Sequence, residues 1–263
     1  GVNVSGEEDE DVIYQPVYTV KGLAGAVYEI TADEDIITPD GTLRYHKGDV
    51  VDTVTTDDEG FAKSKELYLG KYTVVETKAP TGMVINNEKH SVELTYAGQD
   101  VAVTETATSF YNERQKVKIF LEKILEQNET FGIGKNDEIK NISFGLYAKE
   151  DIASSSGTVI PADGLIEIIT LDENGKATVN TDLPFGSYYI KEIATDEHYI
   201  LSDTQYPFTF EYAGQDTEAV EIKINDGKPI ENKLIYGSVS GKKIDENGEA
   251  LGGALIGIFK ADE

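Results

Sequence analysis

Three observations predict an all-β chain built from tandem immunoglobulin-like antiparallel β-sandwiches. They are short segments of alternating apolar and polar residues, Gly/Asp/Asn turns between them, and an internal repeat. Segments such as "KVKIFLEKIL" (116–125) and "KYTVVETK" (71–78) place apolar side chains at every second residue, the period of a strand with one buried face. No long stripe at the helical period competes with them. Abundant Tyr and Gly without Trp suit strands and turns.

The repeat has a period of about 116 residues and sets the organisation. "LTYAGQDVAV" (94–103) returns as "FEYAGQDTEA" (210–219), and "LGKYTVVETKAP" (69–80) as "FGSYYIKEIATD" (185–196). "DDEGFA" (57–62) returns as "DENGKA" (172–177). "GLAGAVYEI" (22–30) is answered by "ISFGLYAKE" (142–150) and again by "LGGALIGIFK" (251–260). The expected division is a first domain over 1–114, a second over 115–235, and the opening strands of a third over 236–263. Closing and opening strands abut at "NERQKV" and "NKLIYG", which predicts a rod of limited flexibility.

Composition narrows the function. A net charge of −26 argues against nucleic acid or an anionic membrane as partner, since both require Lys and Arg to meet phosphate. The absence of cysteine removes disulfides, thiolate metal sites and cysteine nucleophiles. No apolar run approaches a membrane span, and no signal peptide or sorting tail is visible. The last residues, "GALIGIFKADE", stop just after a strong strand pattern, so the chain reads as a piece of something longer. His46, His90 and His198 are scattered and lack metal-ligand spacing, so no metal or cofactor is expected. "DDEG" and "DENG" read as hairpin turns rather than calcium loops, and "GEEDED" (6–11) as a solvated arm. "GSVSG" (237–241) carries Val239 where a nucleophile elbow needs its serine, and "GIGKN" (132–136) lacks phosphate-loop spacing. A glycosidase could hide among the acids, but duplication points to scaffold rather than to a single cleft.

Three polar residues fall on apolar strand faces. Lys123 lies in line with Val117, Ile119, Leu121 and Leu125; Asn232 with Ile230 and Leu234; Glu192 with Tyr188 and Ile190. In the first repeat Glu76 shares its parity with Tyr72 and Val74. A lone buried carboxylate is costly and needs a partner or a proton. Burial drives both amine and carboxyl toward their neutral forms. A neutral amine is a nucleophile, and a protonated carboxyl can activate an amide and relay protons. Held together, these groups can form a Lys–Asn amide with loss of ammonia, driven by high effective concentration. The alternative is an ordinary hydrogen-bonded polar cluster, or a lysine that snorkels to solvent.

"GLAGAVYEI", "LGKYTVVETKAPTG", "FYNERQ" and the tail "GSVSGKKIDENGEALGGALIGIFK" resemble Cna-B or SpaA-type (prealbumin-like) domains of Gram-positive surface adhesins and pilins. The resemblance covers nearly all of the chain beyond its first fifteen or so residues. It implies a reverse immunoglobulin-like sandwich whose first and last strands are joined by a self-formed Lys–Asn isopeptide bond, assisted by an acid. On that pattern Lys123 and Asn232 form the bond and Glu192 assists. Glu76 and Asn112 take two of these roles in the first domain, facing each other, and Lys243 is the counterpart lysine of the third. The resemblance further implies an extracellular, cell-wall-anchored parent, neighbouring pilin or adhesin subunits as partners, and no turnover beyond the one self-modification.

The likeness breaks at the first-domain lysine. Lys243 stands about ten residues ahead of "GGA", and the same offset before "GLAGA" lands near Gln15, in a stretch without lysine. Lys21 adjoins the glycines instead. Truncation of the opening strand is the favoured reading, with "GSVSGKKI" of a neighbouring molecule a candidate to fill the vacancy by strand addition. Glu76 and Asn112 are then expected to form a plain hydrogen bond. A second functional reading is a ligand-binding adhesin module without isopeptide bonds, recognising a host glycan or matrix protein through its longest loops, 33–50 and 126–141.

Overall fold

Period-two alternation governs both halves of the chain, and the two halves use it differently. The computed structural model describes residues 1–6, 11–155, 157 and 159–259; the acidic stretch 7–10, where the solvated arm is expected, lies outside these. The chain opens with the hairpin β1 (Val2–Ser5) and β2 (Ile13–Pro16). Then follow β3 (Val27–Ala32), β4 (Ile36–Ile37), β5 (Leu43–Tyr45), β6 (Val50–Thr55), β7 (Gly70–Lys78) and β8 (Lys89–Leu94). β6, β3, β7 and β8 pair in that order as an antiparallel sheet, with β4 and β5 forming a small hairpin inside the 33–50 insertion. One face of the sheet buries Ile30, Ala32, Val51 and Tyr72, with Ile36 packed against them. Tyr72 is fully enclosed because its hydroxyl finds a partner, donating to the Tyr68 carbonyl at 2.6 Å.

The second unit comprises β9 (Lys116–Leu125), β10 (Ser143–Ala148), β11 (Ile152–Ala153), β12 (Val159–Ile160), β13 (Leu165–Thr170), β14 (Lys176–Val179), β15 (Gly186–Ala194), β16 (Gln205–Phe210), β17 (Ala219–Lys223) and β18 (Ile230–Asn232). It is a complete sandwich. β13, β10, β15 and β16 form one antiparallel layer; β14, β9 and β17 form the other, with β18 continuing beside β9. Val117, Ile119 and Leu121 from β9 interdigitate with Phe144, Leu146, Tyr188 and Ile190 from the facing layer. The unit departs from a purely antiparallel pattern at one place. β17 and β18 both run parallel to β9, because the first and last strands of the unit point the same way. They are separated by a turn at Ile224–Gly227, where Asn225 and Asp226 adopt left-handed backbone (φ 54° each) and Ile224 is buried.

Among the described residues, the layer that β9 organises in the second unit has no counterpart in the first. β14 and β17 correspond by the repeat to stretches near 61–65 and 101–107, which form no strands. β9 is the central strand of its layer, and both flanking strands hydrogen-bond to it. Among the described residues no strand stands between 61–65 and 101–107, so neither stretch has a ladder partner. The hairpin of β1 and β2 instead packs on the second unit: β2 meets β13 in parallel at Ile13↔Leu165, extending that sheet to β1-β2-β13-β10-β15-β16.

The repeated turns are alike. Asp57, Asp172 and Asp245 each accept two backbone N–H groups through one carboxylate oxygen: from Glu59 and Phe61, from Asn174 and Lys176, and from Asn247 and Glu249. A side chain that caps its own turn in this way needs no cation.

The junction between the units is densely bonded. Gln215 of the second unit accepts from the Ala79 amide at 2.9 Å and donates to the Thr77 carbonyl at 3.4 Å, and Tyr212 donates to the Met83 carbonyl at 2.8 Å. Fully buried Gln115 donates to the carbonyls of Gly214 and Thr217 and accepts from the Ala213 amide. The guanidinium of Arg114 pairs with Asp182 and lies 3.2 Å from the centre of the Tyr18 ring. Gly82 (φ +86°) lets the chain pass the Phe185 ring, which an added Cβ would approach to 3.2 Å.

Candidate covalent cross-link site

β9 delivers Lys123 into the sandwich because its parity is that of Val117, Ile119 and Leu121, all buried. β18 delivers Asn232 between buried Ile230 and Leu234, and β15 delivers Glu192 after Tyr188 and Ile190. The three side chains converge. Lys123 is 1% exposed, Asn232 2% and Glu192 4%. The Lys123 amine donates to Asn232 Oδ1 at 2.5 Å and lies 3.4 Å from Glu192 Oε1. Asn232 Nδ2 donates to both oxygens of Glu192, at 2.8 and 2.9 Å, and to Thr195 Oγ1 at 3.0 Å. The amine thus sits on the carbonyl side of the amide and the carboxylate on its nitrogen side.

Electrostatics favour a reactive amine. Burial lowers the Lys123 pKa below its ordinary value, and the negative charge of Glu192 opposes that shift without cancelling it. The Phe144 ring lies beneath, its centroid 5.9 Å from the amine, and closes the site to water on that side. Backbone features lock the register. The Lys123 amide donates to the Gly175 carbonyl at 2.7 Å. Gly175 (φ +74°) belongs to the "DENG" turn, and a Cβ there would stand 2.2 Å from the Lys123 carbonyl oxygen, so only glycine lets the turn close on β9. Glu192 Oε2 is held from outside by the Ser202 amide at 3.0 Å.

The first unit reproduces the acid and the amide. Glu76 is 5% exposed, and its Oε2 accepts from Asn112 Nδ2 at 2.7 Å and from the Asn86 amide at 2.7 Å. Asn86 and Ser202 stand one repeat apart, as do Glu76 and Glu192. Where the second unit has an amine beside the acid, the first has the Tyr28 hydroxyl, 3.4 Å from Glu76 Oε1. Burial, with the Glu76 charge and hydrogen bond adding to it, raises the Tyr28 pKa to about 12. Lys21 is exposed and Lys243 lies in the exposed tail, donating to the Ile244 carbonyl at 3.1 Å; neither joins the pair.

Sequence reasoning missed Thr195, Ser202 and Gly175. The repeat held a signal for the last, since Gly60 and Gly175 occupy matching turns. The loops 33–50 and 126–141 hold the β4–β5 hairpin and a single 3-10 turn at Glu138–Asn141. Among the described residues no group of three or more His, Asp or Glu is arranged to hold a metal ion, and no helix is long and apolar enough to cross a membrane.

Comparison with known proteins places the chain. The family described as "SpaA: Prealbumin-like fold domain" matches residues 16–108 and 130–228. Among solved structures the chain is similar to the Bacillus anthracis TIE protein, with 20% identity and a TM-score of 0.49, over 88% of this chain and 38% of that one. It is similar to GBS52, the minor pilin of Streptococcus agalactiae, with 18% identity and a TM-score of 0.32, over 92% of each chain. It is also similar to BcpA, the major pilin subunit of Bacillus cereus, with 14% identity and a TM-score of 0.27, over 82% of this chain and 96% of that one. The chain therefore spans well under half the length of the TIE protein. No curated protein sequence matches it. With two matched stretches that together cover most of its length, this chain belongs to the SpaA family of prealbumin-like fold domains.

Proposed function

We propose that the chain is a segment of a stalk-forming or pilin-like surface protein of a Gram-positive bacterium, and that its second unit, residues 115–235, is locked by an amide between Lys123 and Asn232. The observation that carries this reading is the enclosed contact of amine, amide and carboxylate between the first and last strands of one unit. The uncharged amine attacks Asn232 Cγ. Glu192 takes the proton released by Lys123 Nζ and passes it to Asn232 Nδ2, to which it is already bonded. The Cγ–Nδ2 bond breaks, ammonia leaves, and the Nζ–Cγ amide remains. Fixed neighbours in a dry site supply the effective concentration that a free lysine and asparagine lack. No second turnover follows, because the nucleophile is consumed.

A bond there closes a loop of 109 residues. Such a closure contributes about 4–5 kcal/mol by constraining the unfolded chain, on the analogy of a disulfide. Its larger effect is on persistence under load outside the cell, where no ATP-driven repair exists. Neighbouring subunits of the same assembly are the proposed partners, and the cell wall the proposed location. Intact and peptide mass spectrometry tests the reading: the purified chain should weigh one ammonia less than calculated, with a branched peptide joining Lys123 to Asn232. Full calculated mass with both residues in separate peptides rejects it.

A further inference from the structure

Asn232 Nδ2 is the leaving group of the cross-linking step, so the groups around it decide how it departs. A planar amide nitrogen offers two N–H bonds; once its carbon turns tetrahedral it offers a lone pair as well. In so closed a site each N–H needs an acceptor, and the lone pair needs a proton. Glu192 Oε2 accepts from the Ser202 amide at 3.0 Å, a group that can only donate, so Oε2 stays an acceptor. Oε1 lies 3.4 Å from Lys123 Nζ and 2.8 Å from Asn232 Nδ2, so the travelling proton rides there. The carboxyl thereby serves the lone pair through Oε1 and one N–H through Oε2, 2.9 Å from the nitrogen. The other N–H falls to Thr195 Oγ1, at 3.0 Å.

The two units make this last contact differently. One repeat earlier, Asn112 Nδ2 donates to Glu76 Oε2 at 2.7 Å and to the Val84 carbonyl at 3.0 Å. The turn after the acid has the same backbone in both units: the Met83 amide donates to the Pro80 carbonyl and the Tyr199 amide to the Asp196 carbonyl, each at 3.0 Å. Its side chains differ. Ala79 stands where Thr195 does, and Pro80 where Asp196 does. The unit whose acid meets a lysine has the hydroxyl, and the unit whose acid meets Tyr28 has a methyl group. A backbone carbonyl fixed in a turn suits an amide that stays planar. A hydroxyl rotates, so it can keep its bond to a nitrogen that changes shape. Asp196 steadies the turn that presents it, accepting from the His198 amide at 3.1 Å and from Asn141 Nδ2 at 2.8 Å. Thr195 is also half-buried while Lys123, Glu192 and Asn232 are buried, so it borders both the leaving nitrogen and the way out.

We propose that Thr195 is a catalytic residue of the cross-linking step, its hydroxyl holding one N–H of Asn232 Nδ2 from the planar amide through to free ammonia. The role rests on the proposed Lys123–Asn232 amide. Lys123 Nζ adds to Asn232 Cγ and releases one proton to Glu192 Oε1. With one N–H on Thr195 Oγ1 and the other on Oε2, the lone pair of Nδ2 faces Oε1 and takes that proton. The Cγ–Nδ2 bond breaks with its electron pair on nitrogen. Ammonia carries off its two original hydrogens and the one from Nζ, Glu192 ends as the carboxylate it began as, and Thr195 is unchanged.

The test follows bond formation in time. The full chain is recovered unfolded in urea from inclusion bodies and refolded by dilution. Circular dichroism reads folding, and intact mass reads loss of ammonia in the same samples. Thr195→Val keeps the shape of the side chain and removes the acceptor. It should refold at the wild-type rate and lose ammonia about tenfold more slowly. Thr195→Ser restores the hydroxyl and should react within about twofold of wild type. Thr195→Ala, the residue of the first unit at this place, should slow the loss at least about threefold, and it decides the matter if the valine variant does not refold. Equal rates of ammonia loss in wild type and the variants without a hydroxyl overturn the proposal and leave the cross-link standing. Slow loss in the serine variant overturns it too, since size and not the hydroxyl then matters, and so does slow loss that merely tracks slow refolding. Wild-type chain that folds and keeps its ammonia removes the proposed function, and this role with it.

Discussion

Replacing Lys123 by methionine removes the amine while keeping an unbranched apolar stem of similar length in a site only 1% exposed. If the amide exists, the unfolded second unit is tied across 109 residues, and the variant releases that tie. The chain-entropy relation gives about 4.7 kcal/mol for a closure of this size at 25 °C. A unit of about 120 residues has an unfolding entropy near 0.25 kcal/mol/K, so the midpoint should fall by ~19 °C. If the cluster is only hydrogen-bonded, the variant strips one donor from Asn232 Oδ1. That costs about 1–3 kcal/mol, or ~4–12 °C. Calorimetry of the whole chain, following the second unit's transition, reads the difference, and intact mass read alongside assigns it. A fall below ~12 °C with wild-type protein at full calculated mass would refute the covalent reasoning.

Glu192→Gln keeps both shape and much of the hydrogen bonding but cannot carry the proton. It should yield folded chain that retains its ammonia by mass spectrometry, or loses it far more slowly than wild type. Gln115→Ala strands the carbonyls of Gly214 and Thr217 and the Ala213 amide, and should cost about 3 kcal/mol in urea unfolding, with faster exchange at Ala213. The hydrogen bond that the His198 ring donates to the Asp196 carboxylate raises the His198 pKa above its ordinary 6.5. A raised folded value favours the protonated form, so its contribution is complete below pH 6.5 and is lost as pH rises through the folded value. The thermal midpoint of wild type should therefore decline more than that of His198→Ala as pH rises above 6.5, and parallel curves would rule this out.

Much of the second unit was legible because a strand's period is two. Once Val117, Ile119 and Leu121 are assigned inward, Lys123 has to follow them, and the same parity turns Asn232 and Glu192 inward. The repeat relates Glu192 to Glu76, and Asn112 came from the resemblance, within "FYNERQ". What parity cannot show is which strands become neighbours. Nothing local in "KIFLEKIL" says that β17 and β18 will both lie parallel to it, since that follows from the layer the whole unit builds. Nor does "VIYQP" announce that β2 will leave its own unit for the edge at β13, a choice made by the exposed ladder groups of that strand. Thr195 and Ser202 were invisible because a hydroxyl and a backbone amide in loops carry no periodic signal. Tyr28 carries no polar signal within "GLAGAVYEI", and only its hydroxyl at Glu76 reveals a polar duty.

The parallel course of β9 and β18 has a mechanical meaning. A pull on the start of β9 and on the chain after β18 slides the two strands lengthwise past one another, so their rungs bear the load together instead of opening singly from one end. Tension entering at Lys116 runs along β9 and leaves across the rungs beside Lys123 and Asn232, bypassing the sheet of β10, β13, β15 and β16. That sheet behaves as ballast hung beside a short tendon: it keeps water off the rungs while carrying little of the strain.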